Sequence, residues 1–268
     1  MDRLLDLERF PLDDLARAPG RALIERCRRE LADHGTFSLA GFGRLQALAQ
    51  AIAEVQPVFA TAAYPHKRSH NIYFKNSIDG LPANHPALRR FETASHTICA
   101  DQIPDSVVCR IYDWPPLVAF LAATMGKPRL YAMADPLARA NVMSYREGEA
   151  INWHFDRSEF TTTLLLQTSE AGGVFQYRSG LRSEDDPNYD GVGRFLADPS
   201  REVQTLPQQP GTLTVFKGKY AAHSVTPVEG ARVRIVAVYS YYERPGVLFS
   251  AEERLGFYGR AEAIGPAA

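Results

Sequence analysis

The spacing of apolar residues changes part-way along this 268-residue chain, and that change restricts the fold more than any other feature. Between Arg21 and Ala32, Leu23, Ile24, Cys27 and Leu31 recur at helical intervals, and Leu45, Leu48, Ile52 and Val55 do the same between Arg44 and Val58. Gly35 and the apolar stretch Thr36 to Phe42 separate them and read as a strand. Pro86 opens a third predicted helix reaching about Ala100. Pro115 and Pro116 open a short fourth, which Gly126 stops. Beyond Arg129 the pattern turns to strands: Leu130–Ala134, Asn141–Tyr145, Ile151–Phe155, Phe160–Gln167, Gly173–Tyr177, Thr212–Phe216, Ala221–Val225 and Val233–Tyr241. Gly172-Gly173, Gln209-Pro210-Gly211 and Gly230 punctuate them. In the last run Val233, Ile235, Ala237 and Tyr239 alternate with Arg234, Val236, Val238 and Ser240, one set on each face. Helices first and eight short strands later exclude alternating βαβ units. They predict an α+β chain with a double-sheet jelly roll or barrel as its core.

This organisation suits one domain over residues 1–268, with mainly helical support in 1–128, the β core in 129–245 and a C-terminal segment in 246–268. The run from Arg178 to about Glu202 is too long for a hairpin loop. It reads as a covering segment with a short helix near Val192 to Leu196. Lys+Arg 30 against Asp+Glu 31 leaves a net charge of −1, without the basic footprint of a nucleic-acid or membrane-surface binder. No apolar run approaches the roughly 18 residues of a membrane span. The opening MDRLLDLERF has neither the basic region nor the apolar stretch of a signal peptide. Cys27, Cys99 and Cys109 are an odd number without metal-ligand spacing and read as reduced thiols, so the expected compartment is cytoplasmic.

Chemistry enters with His154-Phe155-Asp156. On a strand, positions i and i+2 point to one face, so the imidazole and the carboxylate lie together. The pair alone carries no weight, because composition predicts 7 × 31/268 ≈ 0.8 of them. A third candidate, His223, stands downstream, with Arg232 and Arg234 nine and eleven residues beyond it. Two histidines and one carboxylate form a facial set that binds Fe(II) and leaves positions open. A nearby arginine offers the fork that grips a dicarboxylate. Alternation puts Arg232 and Arg234 on one face. Arg234 is the better embedded among strand residues and ranks first. The segment Lys67-Arg68-Ser-His70-Asn-Ile-Tyr73 offers Arg68 as a clamp for a substrate carboxylate, or else a surface strand edge. His34, His66, His85 and His96 read as incidental helix or loop residues.

These pieces resemble the Fe(II)/2-oxoglutarate-dependent oxygenases. The matching stretches are Asn141-Val-Met-Ser-Tyr145-Arg-Glu-Gly148, His154-Phe-Asp156, Gly172-Gly173, Pro210-Gly211-Thr212 and His223-Ser-Val-Thr-Pro-Val-Glu-Gly-Ala-Arg232-Val-Arg234. His154-Phe-Asp-Arg-Ser-Glu-Phe160, Asp185-Asp-Pro-Asn-Tyr-Asp190 and Phe257-Tyr-Gly-Arg260 are similar to a bacterial lysine-halogenase-like branch that acts on free amino acids. The resemblance implies a cupin-like double-stranded β-helix, with His154, Asp156 and His223 as iron ligands. It implies 2-oxoglutarate on Arg234 or Arg232, with Tyr145 and Thr214 as lesser contacts, and dioxygen as second cosubstrate. It further implies oxidation of a small molecule with release of succinate and CO2. Tyr73, Asp190 and Tyr258 join Arg68 as candidate substrate residues, and Arg260 as a cap. Halogenating members of the branch replace the carboxylate ligand with a small residue. Asp156 is present here, which points to hydroxylation. Desaturation, cyclisation or epimerisation at the same site, a cupin-like metalloenzyme without 2-oxoglutarate, and a silent β-barrel binding protein stand as alternatives.

Overall fold

Proline and glycine set the limits of the first helix. Pro19 lies in the first turn of α1 (Ala18–His34), and Gly35 ends it at φ +74°, its N–H donating to the Leu31 carbonyl. The structure, a computed structural model, describes residues 1–206 and 209–264; the last four residues of the C-terminal segment lie outside it. After α1 come β1 (Thr36–Leu39), α2 (Leu45–Thr61), β2 (Tyr64–His70), β3 (Phe91–Cys99), α3 (Val107–Tyr112) and α4 (Pro115–Thr124). Then follow β4 (Tyr131–Ala132), β5 (Ala140–Tyr145), β6 (Ile151–His154), β7 (Thr161–Gln167), β8 (Ala171–Gly172) and β9 (Phe175–Arg178). The chain continues through α5 (Tyr189–Ala197), β10 (Gln204–Thr205), β11 (Leu213–Phe216), β12 (Ala222–Val225), β13 (Val228–Glu229), β14 (Arg234–Tyr239), β15 (Tyr241–Tyr242) and α6 (Ala251–Tyr258).

Seven strands form the major sheet in the order β1-β11-β7-β14-β5-β3-β2, and four form the minor sheet, β10-β9-β12-β6. The pairs within both sheets are antiparallel. Two cross-strand rows show how differently the faces of the major sheet are used. Leu39, Leu213, Leu164, Ala237, Val142 and Ile98 stand side by side on six strands, and none exposes any surface. This row belongs to a core shared with Leu48, Ala51 and Val55 of α2, Val108 and Ile111 of α3, and Phe120 of α4. Each large side chain buried there contributes about 1.5–3 kcal/mol. The neighbouring row on the opposite face reads Ser38, Thr214, Thr163, Val238, Asn141, Cys99, mostly polar. That face looks towards the minor sheet, and the site lies between the two.

The predicted third helix is a correction. Pro86–Leu88 make only one 3-10 turn, capped by the His85 side chain, and Phe91–Cys99 form β3 in the major sheet. Its inward positions are Thr93, Ser95 and Thr97, so no apolar alternation marks it as a strand. The first 128 residues therefore supply three strands as well as helices. Two short helices, α3 and α6, were not expected. Ser106 caps α3, accepting from the Cys109 N–H, and Ser250 with Glu253 forms a capping box on α6.

Among the described residues no helix is long and apolar enough to cross a membrane. All three cysteines are free and buried, and burial pushes the Cys27 and Cys99 thiols up to about 12.

Tyr112 joins the helical layer to the sheet. Fully buried, its hydroxyl accepts from the Met133 N–H and donates to the Ser240 carbonyl, both at 2.8 Å. Tyr112→Phe removes both bonds and leaves the Met133 N–H its longer bond to the Ser240 carbonyl, at 3.3 Å, so denaturant unfolding should show a loss of about 0.5–1.5 kcal/mol.

Candidate metal centre and its cavity

His154 and His223 face one another across the antiparallel β6–β12 pair, their ring centroids 4.0 Å apart. In each ring Nδ1 lies against a backbone carbonyl, Asn152 at 2.8 Å and Ala221 at 3.0 Å. A carbonyl only accepts, so Nδ1 carries a proton and Nε2 is the ring nitrogen turned towards Asp156. Asp156, two residues past His154, places Oδ1 3.5 Å from His154 Nε2 and Oδ2 3.4 Å from His223 Nε2. The three donor atoms lie within 4.8 Å of one another. Burial disfavours the Asp156 charge, yet the imidazoles beside it outweigh that and hold its carboxyl well below the usual carboxylate range. Burial, with His223 alongside, keeps His154 below its ordinary value. Two imidazole Nε2 atoms and one carboxylate fit an Fe(II) ion with positions left over.

Two residues that sequence reasoning missed shape this carboxylate. Thr161 Oγ1 donates to Asp156 Oδ2 at 2.5 Å. Gly218 accepts the Asp156 N–H on its carbonyl at 3.0 Å, and any Cβ there would collide with the carboxylate and lie 2.9 Å from Asp156 Cβ. Neither carries a motif. A threonine heading a strand and a glycine in a turn are ordinary in sequence.

A cavity of about 430 Å³ opens beside two of the donors, His154 and Asp156. Arg68, Tyr258 and Asp156 line it, along with the inward residues of β3 and aromatic side chains including Phe74, Phe160 and Phe257. His66 and His70 line it too, which corrects the view of His66 as incidental. His70 Nε2 lies 2.8 Å from Thr93 Oγ1, and burial pulls this imidazole down to about 4. Tyr258 donates to Asn141 Oδ1 at 3.0 Å. Its helix is held by Arg254 on the fully buried Asp135, and the following Arg260 pairs in two bonds with Asp101. Arg260 is thus an anchor for the segment that closes the cavity.

Other sequence candidates lie elsewhere. Tyr73 does not line the cavity; it packs on Phe155 and Tyr189 and donates to the Pro187 carbonyl. Asp190 is largely exposed, with His85 beside it at 3.2 Å. No residue from 178 to 202 lines the cavity, because α5 buries Val192, Phe195 and Leu196 against Trp153 on the outside of the minor sheet. The cover comes instead from the 66–74 stretch and from α6.

Arg234 and Arg232 also separate. Arg232 precedes β14, lies exposed and donates to the Thr168 and Ser169 carbonyls. Arg234 is buried, donates to the Gly173 carbonyl at 3.1 Å and lies over the Tyr145 ring. It pairs with Tyr145 across β14–β5, on the inward face of the sheet. Thr214 shares that face, its hydroxyl 3.2 Å from that of Ser38.

Thr161→Val and Gly218→Ala should each weaken Fe(II) binding by about 10- to 100-fold in anaerobic titrations, as loss of groups that orient ligands does elsewhere. Parental affinity in both variants would show that Asp156 is not held for the metal.

The Halogenase D family model matches residues 24–247. No curated protein matches the sequence. Among solved structures, the epimerase SnoN in complex with Fe3+ and alpha ketoglutarate is 17% identical, with 82% of this chain and 84% of that one covered at a TM-score of 0.55. A Pseudomonas putida prolyl-4-hydroxylase is 15% identical over 81% and 97%, TM-score 0.51. An oxidoreductase of the 2OG-Fe(II) oxygenase family from Burkholderia pseudomallei is 14% identical over 84% and 92%, TM-score 0.51. At such identities the likeness concerns the fold, the double-stranded β-helix expected from the sequence. With most of its length under the family model and this fold around its metal site, the chain belongs to the Halogenase D family.

Proposed function

We propose that the protein is an Fe(II)- and 2-oxoglutarate-dependent hydroxylase acting in the cytoplasm on a small molecule, a free amino acid or a derivative of one. The observation that carries this reading is the Asp156 carboxylate, which completes the donor set with His154 and His223 and has Thr161 and Gly218 fitted around it. Halogenation needs that position for a halide. The buried free thiols suit a reducing compartment.

Iron, 2-oxoglutarate and dioxygen bound here supply the oxidation of an unactivated C–H bond, with release of succinate and CO2. The chain positions and shields. His154, Asp156 and His223 would hold the iron from one side, their protonation states set by the Asn152 and Ala221 carbonyls and by the Thr161 hydroxyl. Arg234 would take the distal carboxylate of 2-oxoglutarate, with Tyr145 and Thr214 on the same sheet face. Arg68, above the Phe74 ring, would hold a substrate carboxylate, and Tyr258 would close over the bound molecule.

Removing one partner of a buried charge pair costs about 2–5 kcal/mol, so Arg234→Ala should weaken 2-oxoglutarate binding thirtyfold or more by calorimetry of metal-loaded protein. Unchanged affinity would remove Arg234 from the cosubstrate site, and no binding by the parent would support a cupin-like enzyme without this cosubstrate. With Fe(II) and a panel of free amino acids, at least one should stimulate succinate formation and emerge heavier by one oxygen in mass spectrometry. A chlorinated product at high chloride would overturn the hydroxylase assignment.

A further inference from the structure

The charges around the cavity do not balance. Asp156 is the sole carboxylate among the described residues lining it, and it belongs to the metal site. Two guanidinium groups, Arg68 and Arg157, line the same space. Arg157 has an acid of its own, Glu253 at 2.6 Å. Arg68 is half-buried and rests on the Phe74 ring at 4.1 Å; among the described residues no acid reaches it. Burial and the like charge of Arg157 both lower its pKa, as expected of a cation without a neighbouring anion. One anionic group of a ligand would relieve this. A second positive charge would meet Arg68 and Arg157 and find no carboxylate to receive it.

A second observation comes from β3. Ser95, paired with His66 of β2, is 2% exposed and lines the cavity, yet its Oγ has no hydrogen-bond partner. Its neighbour Thr93 is satisfied by His70 and by the Asn152 N–H. Buried hydroxyls in folded proteins are nearly always paired, and a native exception calls for an explanation. At the wall of a cavity a polar group brought by a ligand supplies one.

We propose that the cavity selects an amino acid whose one anionic group is its carboxylate and whose side chain is uncharged and hydrogen-bonding, and that Ser95 is the specificity-determining hydroxyl that bonds that side chain. This rests on Arg68 as the carboxylate anchor of the reading above. It sets uncharged polar acids apart from basic ones such as lysine.

The test uses the full chain under anaerobic conditions, with and without Fe(II) and 2-oxoglutarate, so binding is read without turnover. The probes are L-glutamine, L-homoserine and L-tyrosine against L-lysine, L-ornithine and L-arginine, followed by thermal shift and calorimetry. At least one uncharged probe should raise the melting temperature more than every basic one. Ser95→Ala should unfold no lower than the parent, because its hydroxyl bonds nothing in the free protein, while binding the best uncharged probe about tenfold more weakly. Stronger stabilisation by a basic probe, no stabilisation by any uncharged one, a lowered melting temperature for Ser95→Ala, or undiminished binding by that variant would each overturn the proposal. Absence of succinate formation bears on the oxidative reading alone and leaves these binding results intact.

Discussion

His154 and His223 stand directly opposite one another on an antiparallel pair, and the geometry of the whole site follows from that register. Sliding β12 by one residue would turn its imidazole to the outside of the minor sheet. The outer surface resists this. Trp153 and Ala222, the residues adjoining the two histidines, are buried there with Val192, Phe195 and Leu196 of α5. Apolar packing on the outside thus holds two nitrogens in place on the inside. Thr161 and Gly218 then adjust the carboxylate that the strand end delivers.

The major sheet separates stability from function by its faces. The row from Leu39 to Ile98 is wholly buried against helices and carries the cohesion. The opposite face carries Arg234, Thr93, Ser95 and Asn141, groups costly to bury unless they are bonded. Most are bonded: Arg234 to the Gly173 carbonyl, Thr93 to His70, and Asn141 to Tyr258. Such a face would be a poor core by itself. It is tolerable because the helical layer behind it is extensive.

This division explains what could be read from the sequence and what could not. β14 was plain because Ile235, Val236, Ala237, Val238 and Tyr239 form an apolar, largely β-branched run. The grouping of His154, Asp156 and His223 was legible because His-X-Asp and a later histidine can meet wherever strands place them. β3 was not, because Thr93, Ser95 and Thr97 face inward and erase the apolar alternation that marks a strand. Arg232 and Arg234 share a parity in sequence, yet Arg232 stands outside the strand, where parity has no force. The segment containing Asp190 carried the spacing of a cover but buries its apolar side on the minor sheet. The capping box Ser250-Ala-Glu-Glu253 was present to be read, and it marks a helix that does reach the cavity.

Gly218 has an evolutionary consequence. Its hydrogen occupies the volume any side chain would need, and that volume belongs to the Asp156 carboxylate. The two positions are therefore epistatic, and the order of change is constrained. While Asp156 remains, substitution at 218 damages the metal site and selection removes it. Once position 156 loses its Cβ as well as the carboxylate, by becoming glycine, the restriction at 218 lifts and the position can drift. Return of the carboxylate would then be blocked until glycine is restored. A shift from oxygen to halogen chemistry in such a lineage would work as a ratchet, held not by the ligand itself but by the residue standing behind it.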